Sequence, residues 1–66
     1  MIYRFDIRRA DGQHDIFTRD LSDDFAAVAW MGNEALARGD RMEAFRGEES
    51  DPFARREFAG SVEVFG

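Results

Sequence analysis

One stretch of the chain, residues 22–39, carries a helical pattern and no other part does, so the remaining residues must fold around a single helix. Ser22 is a favourable N-cap, and Asp23 and Asp24 place negative charge at the positive end of the helix dipole. Gly39 suits the left-handed position that follows many helices. At 100° per residue, the face expected to meet a sheet comprises Phe25, Val28, Ala29, Gly32, Ala35 and Leu36. The sequence therefore predicts one helix with this face buried.

Two large apolar residues fall outside that face. Trp30 and Met31 lie on the flanks of the opposite side, where the core does not account for them. Either the segment 52–53 folds over Trp30, or Trp30 anchors an interface, because Trp and Met are enriched in protein contacts. Both alternatives are open from the sequence alone.

The residues before the helix have the pattern of a β-hairpin. Residues 3–8 alternate strictly and place Tyr3, Phe5 and Ile7 on one face of a first strand. The pair Asp11-Gly12 suits a two-residue turn, and a second strand is expected over residues 14–20. With that turn, Ile7 faces Ile16, Phe5 faces Thr18 and Arg8 faces Asp15. In this register Phe17 points away from the helix.

The residues after the helix predict a second hairpin. A third strand is expected over residues 41–46, an acidic loop over residues 47–52 and a fourth strand over residues 57–65, with Gly60 at a bulge. The chain is thus expected to form one small α+β domain, residues 1–66, with the order β-β-α-β-β and a single helix on a four-stranded, mainly antiparallel sheet. The other face of the sheet has no second layer. A homodimer through this open face is one expectation, because three aromatic residues are assigned to it: Phe17, Phe45 and Phe65.

Composition narrows the classes of function. Nine basic residues, all arginine, oppose 14 acidic residues and give a net charge of -5, which argues against direct binding of nucleic acid. The chain has no cysteine and one histidine, so neither a metal site nor another cofactor is predicted. His14 has no nucleophile pattern beside it, and the chain is expected not to be an enzyme. No apolar run approaches the ~20 residues that cross a bilayer, so we expect no membrane segment and a cytoplasmic location.

The same features support a resemblance to known proteins. The pattern Tyr3-x-Phe5-Asp6-Ile7-Arg8, followed by an Asp-Gly turn, an aspartate-rich cap, an alanine-rich helix and a closing hairpin, resembles a family of small uncharacterised proteobacterial proteins. That resemblance implies a fold and no activity. The first hairpin and helix also resemble small β-rich antitoxin partner domains. In size and charge the chain is similar to phage anti-CRISPR and anti-restriction inhibitors.

Two functions compete on this basis. One is an inhibitory or regulatory protein-binding role, in which carboxylates mimic nucleic acid and occupy the basic surface of a nucleic-acid-binding partner. Asp20, Asp23 and Asp24 lie together at the strand–helix junction, with Trp30 and Met31 as apolar contact residues. Further carboxylates join them if the second loop lies at the same end of the sheet: Glu48, Glu49 and Asp51. The alternative is an accessory or structural bacterial protein that acts as a homodimer.

Overall fold

Five strands and one helix form the fold in the computed structural model, which describes residues 1–66. The elements are β1 Ile2–Arg8, β2 His14–Asp20, α1 Asp24–Asn33, β3 Arg41–Arg46, β4 Ala54–Glu57 and β5 Glu63–Val64. The strands make one antiparallel sheet in the order β2-β1-β3-β4-β5. The predicted α+β class is confirmed, with one strand more than expected.

The additional strand arises because the predicted fourth strand is interrupted by a turn. The Gly60 amide donates to the Glu57 carbonyl at 3.0 Å, and Ala59 has a φ of 62°. This turn reverses the chain, so that Val64 pairs with Ala54 of β4. The placement of Gly60 at a bulge within one strand was therefore wrong.

The first hairpin has a register one residue away from the predicted one. The Arg9 amide donates to the Gln13 carbonyl at 2.7 Å and the Gly12 amide donates to the Arg9 carbonyl at 3.0 Å. Gly12, at a φ of 93°, occupies the left-handed position that completes a three-residue loop. Phe5 therefore pairs with Phe17. Because side chains alternate along a strand, the shift moves Phe17 to the helix side of the sheet and Ile16 to the open face.

The core lies between the helix and one face of the sheet. The prediction for β1 is confirmed, because Tyr3, Phe5 and Ile7 are fully buried. The other members of the buried cluster are Ala27, Met31, Met42, Ala44, Phe53 and Ala54. The core of this small domain thus draws on every element except β2 and β5, while Phe17 of β2 packs against its margin.

The helix meets this core with a different face from the predicted one. Phe25 is 83% exposed, whereas Met31 is fully buried. Trp30 stacks on Phe5 with ring centroids 4.2 Å apart. Burial of Trp30 and Met31 removes more apolar surface from water than burial of Ala29 and Gly32, and this favours the observed rotation. The predicted buried face was therefore wrong at Phe25, Ala29, Gly32 and Ala35, which are all exposed.

Both ends of the helix also differ from the prediction. Asp23 rather than Ser22 is the N-cap, and its Oδ1 accepts the Ala26 amide at 2.9 Å. The helix ends at Asn33, well before Gly39. There, Arg56 Nη1 of β4 donates to the carbonyls of Met31 at 2.8 Å and Glu34 at 2.7 Å. A cation from the sheet thus caps a helix that has no basic residue in its own last turn.

The helix spans ten residues. No helix of this chain combines the length and apolar character that crossing a membrane requires.

Candidate functional site

Six predicted contact residues lie at one end of the sheet, called here the acidic end: Asp20, Asp23, Asp24, Glu48, Glu49 and Asp51. Asp20 is the last residue of β2 and pairs with Ile2 at the start of β1. Arg46 is the last residue of β3 and pairs with Tyr3. The Gly47 amide donates to the Ile2 carbonyl at 2.8 Å and fixes the following loop beside the start of β1. The strand–helix junction and the β3–β4 loop are therefore adjacent. From the sequence alone it was open whether they lie at the same end of the sheet.

Asp24 is the structural member of the acidic end. Arg46 donates to Asp24 Oδ2 from Nε at 3.0 Å and from Nη2 at 2.7 Å, and the Tyr3 hydroxyl donates to Asp24 Oδ1 at 2.6 Å. The Arg46 guanidinium, and then the Tyr3 hydroxyl, hold the pKa of Asp24 below its usual range. Burial, together with the bond to Asp24, raises the pKa of Tyr3 to about 12. Asp24 thereby fastens the start of the helix to β1 and β3.

The other carboxylates of the acidic end are more available. Asp20 Oδ1 lies 3.0 Å from the amino group of Met1, and Asp23 caps the helix. No basic group lies within ion-pair distance of four of the six: Asp23, Glu48, Glu49 and Asp51. The exposed charge of the acidic end therefore comes mainly from the β3–β4 loop and the helix cap.

The two predicted apolar contact residues are not at a free surface. Met31 is buried in the core, and Trp30 is enclosed by Phe5, by Phe17 at a centroid distance of 6.0 Å and by the Arg19 guanidinium at 5.6 Å. The sheet, rather than the segment 52–53, covers Trp30. The assignment of Met31 as a contact residue was wrong because the helix turns this side chain into the core. Trp30 is half-buried, and its role in a contact stays a prediction.

Phe25, rather than Trp30, is the exposed aromatic side chain beside the acidic end. It follows Asp23 and Asp24 directly, at the start of α1, and is the most exposed large apolar side chain of the chain. Its predicted place in the core was wrong. The spacing of Ala27, Trp30 and Met31 at i, i+3 and i+4 was the signal for the buried face, and it leaves Phe25 outside.

The open face lacks the aromatic surface that was expected. Phe17 lies on the helix side, which corrects its assignment. Phe45 does lie on the open face, but the Arg4 guanidinium covers its ring at 4.1 Å and leaves it 6% exposed. Phe65 is exposed, with the Arg55 guanidinium 5.8 Å from its ring. Of the three aromatic residues assigned to this face, Phe65 is thus the one that is exposed there, and the dimer itself stays a prediction.

Several charged side chains also lie on the open face. Asp6 Oδ1 lies 3.4 Å from Arg4 Nε, and Asp6 Oδ2 lies 3.6 Å from His14 Nε2. Asp6 Oδ1 is buried and accepts no hydrogen bond, so its contact with Arg4 is an ion pair without hydrogen-bond geometry. His14 thus has a carboxylate neighbour, but no hydroxyl or thiol nucleophile contacts the pair.

A groove on the surface is lined mainly by charged residues. The groove has a volume of about 190 Å³, and four arginines, two glutamates and one methionine line it: Arg8, Arg41, Arg55, Arg56, Glu43, Glu57 and Met42. Charges of both signs face solvent there. No three His, Cys, Asp or Glu side chains are grouped so that they could hold a metal ion.

Asp40 is a buried carboxylate that bonds to two loops, a role that was not predicted from the sequence. Its Oδ1 accepts the Ala10 amide at 3.0 Å, and its Oδ2 accepts the Ala37 amide at 2.9 Å and Arg9 Nη1 at 3.1 Å. The two amides, and then Arg9, hold the pKa of Asp40 below its usual range. This carboxylate joins the β1–β2 loop to the α1–β3 loop. Its position between Gly39 and a strand indicated only a turn.

Comparison with protein-family models, with curated proteins and with solved structures finds no match for this chain.

Proposed function

We propose that this chain is a non-enzymatic protein-binding module whose acidic end occupies a basic, nucleic-acid-binding surface of its partner. The observation that carries the proposal is the convergence of six carboxylates from two separate loops at one end of the sheet. Clefts that bind nucleic acid present arginine and lysine to phosphates, and a continuous carboxylate surface is complementary to them.

The exposed Phe25 supports the same role. A charged rim steers association, but most binding energy at protein interfaces comes from a few well-packed aromatic or arginine residues. Phe25 stands next to Asp23 and Asp24 at 83% exposure, so an aromatic anchor lies within the carboxylate cluster. This combination favours a protein surface with a basic rim and an apolar hollow.

Arginines lie at both ends of the sheet, the acidic end and the one opposite it. The opposite end of the sheet carries four of the nine: Arg8 and Arg9 at the end of β1, Arg38 in the α1–β3 loop and Arg41 at the start of β3. Three arginines also lie near the acidic end: Arg46 pairs with Asp24, Arg4 pairs with Asp6 and reaches the Glu49 carbonyl at 3.5 Å, and Arg19 precedes Asp20. None of them lies within ion-pair distance of Asp23, Glu48, Glu49 or Asp51, so these four carboxylates supply the exposed negative charge of the proposed contact.

The test is capture of a partner from a bacterial lysate on the immobilised chain, followed by competition with double-stranded DNA. The proposal places the partner in the bacterial cytoplasm. The variant for this test combines Asp23→Asn, Glu48→Gln and Glu49→Gln, because asparagine keeps the helix cap and Asp24 is left to hold Arg46. We expect capture at moderate salt to fall by roughly tenfold or more.

A matched control changes the same number of charges elsewhere. It combines Asp11→Asn, Glu57→Gln and Glu63→Gln, which lie away from the acidic end, and we expect it to retain capture. Phe25→Ser should also reduce capture without unfolding the chain, because Phe25 is not in the core. A partner that DNA displaces would make the chain an inhibitor of the anti-CRISPR or anti-restriction kind. Equal loss in both charge variants, or a partner that binds no nucleic acid, contradicts the proposal.

A further inference from the structure

The outer edge of β2 pairs with no other strand, and of its outward backbone groups the Thr18 carbonyl accepts Arg19 Nη1 at 2.7 Å. The Leu21 amide donates to the Met1 carbonyl at 2.9 Å, and the Arg9 amide donates to the Gln13 carbonyl at 2.7 Å. These two bonds show which residues of β2 direct their backbone groups toward β1 and which direct them outward. The odd-numbered residues of β2 therefore bond to β1. The even-numbered residues direct their amides and carbonyls outward: His14, Ile16, Thr18 and Asp20. The helix lies mainly over β3 and β4 and reaches β2 through Trp30, which packs beside Phe17 and Arg19, and no other strand pairs with this edge.

This edge can pair with a second copy of itself in only a few ways. Antiparallel pairing about a two-fold axis forms hydrogen bonds only when outward-facing residues stand opposite outward-facing residues. The axis must then pass through a residue of the strand, and the central candidates are Ile16, Phe17 and Thr18. Each axis gives a different set of cross-strand neighbours.

Only the axis at Phe17 matches the charges of the strand. It sets Asp15 opposite Arg19 of the second copy and His14 opposite Asp20, with both relations occurring twice. An axis at Ile16 would set Asp15 opposite Phe17, and an axis at Thr18 would set it opposite Leu21. Two antiparallel copies of β2 centred on Phe17 thus place residues of opposite charge next to each other.

Two side chains of this strand gain a contact in the pairing. The Arg19 guanidinium forms no ion pair within the chain; its Nη1 donates to the Thr18 carbonyl at 2.7 Å, and it lies 5.6 Å from the rings of Phe17 and Trp30. Ile16 is 58% exposed on the open face. In the paired arrangement Arg19 meets a carboxylate, and the two Ile16 side chains become diagonal neighbours.

We propose that β2 pairs with β2 of a second copy of this chain, antiparallel and centred on Phe17, so that the two sheets form one continuous sheet. Such an interface is isologous, as in most soluble dimers. The strands run in opposite directions, so the acidic ends of the two copies lie at opposite ends of the dimer and do not repel each other closely. The inference is independent of the function proposed above.

The experiment is sedimentation equilibrium of the full chain from low to high micromolar concentration. We expect the mass to rise from that of the 7.6 kDa chain to that of two chains. Arg19→Asp alone and Asp15→Arg alone each set like charges opposite one another twice, and should weaken self-association by roughly 10- to 100-fold. An equimolar mixture of the two variants restores both opposite-charge pairs and should dimerise.

Two further variants separate this edge from a general charge effect or loss of folding. Arg38→Asp makes the same charge change as Arg19→Asp at a distant exposed site and should leave the dimer intact. Thr18→Pro removes an outward amide but no bond to β1, so the variant should stay folded by circular dichroism and monomeric. A wild-type chain that stays monomeric at high micromolar concentration, or a mixture no better associated than its components, overturns the proposal.

Discussion

Asp40 shows how one buried carboxylate can hold two loops together. Its pKa is lowered in the folded chain, so its contribution to stability is present above the ordinary value of 3.8 and is lost as pH falls below it. We expect wild-type stability to decline from about pH 4 downward, and Asp40→Asn to be less stable at neutral pH with a weaker decline. Urea denaturation at pH 6 and pH 3 measures both.

The control for this prediction is Asp51→Asn, which changes an exposed carboxylate without an ion pair. It should follow the wild-type pH dependence. An Asp40→Asn chain with wild-type stability at both pH values would show that the bonds of Asp40 contribute nothing. Asp40 could not be predicted from sequence, because its partners come from residues 9, 10 and 37, and only the fold brings these together.

At the scale of elements, local alternation predicted β1 correctly because its pattern depends only on neighbouring residues. The type of the first turn could not be predicted from neighbouring residues in the same way. Asp11-Gly12 fits either a two-residue turn or the end of a three-residue loop, and the choice reverses the face of every residue in β2. The helix face was equally ambiguous, and packing of Trp30 on Phe5 decided it. The fold class was therefore predictable, while the residues of the contact surfaces were not.

The Arg56 cap gives a prediction at this scale. Arg56→Met keeps an apolar stem of similar length but removes the donors to the Met31 and Glu34 carbonyls. We expect a loss of about 1–2 kcal/mol in the free energy of unfolding, measured by urea denaturation, and reduced helicity in the far-ultraviolet spectrum. Arg38→Met, at an exposed loop position, should have little effect. Equal stability of the two variants would argue against the cap.

At the scale of the whole molecule, topology brings the carboxylates of the acidic end together. The acidic end exists because β2 and β3 flank β1 and both finish beside its first residues. The sequence supplied the six carboxylates, but their adjacency depended on a strand order that no local pattern reveals. The two proposed contact surfaces, the acidic end and the β2 edge, follow from this same arrangement.

The two outer strands of the sheet differ in length, and this has a consequence for local unfolding. β2 pairs over seven residues and β5 over only two. We expect the Phe65 amide, bonded to the Phe53 carbonyl at 2.9 Å, to exchange with deuterium much faster than the Phe53 amide, bonded to Ala44 at the same distance. Equal protection of the two amides would mean that β5 opens only with the whole domain. If β5 opens alone, the transient form exposes the edge of β4 and uncovers part of Phe53 and Ala54, so proteases and aggregation would act first at this side of the chain.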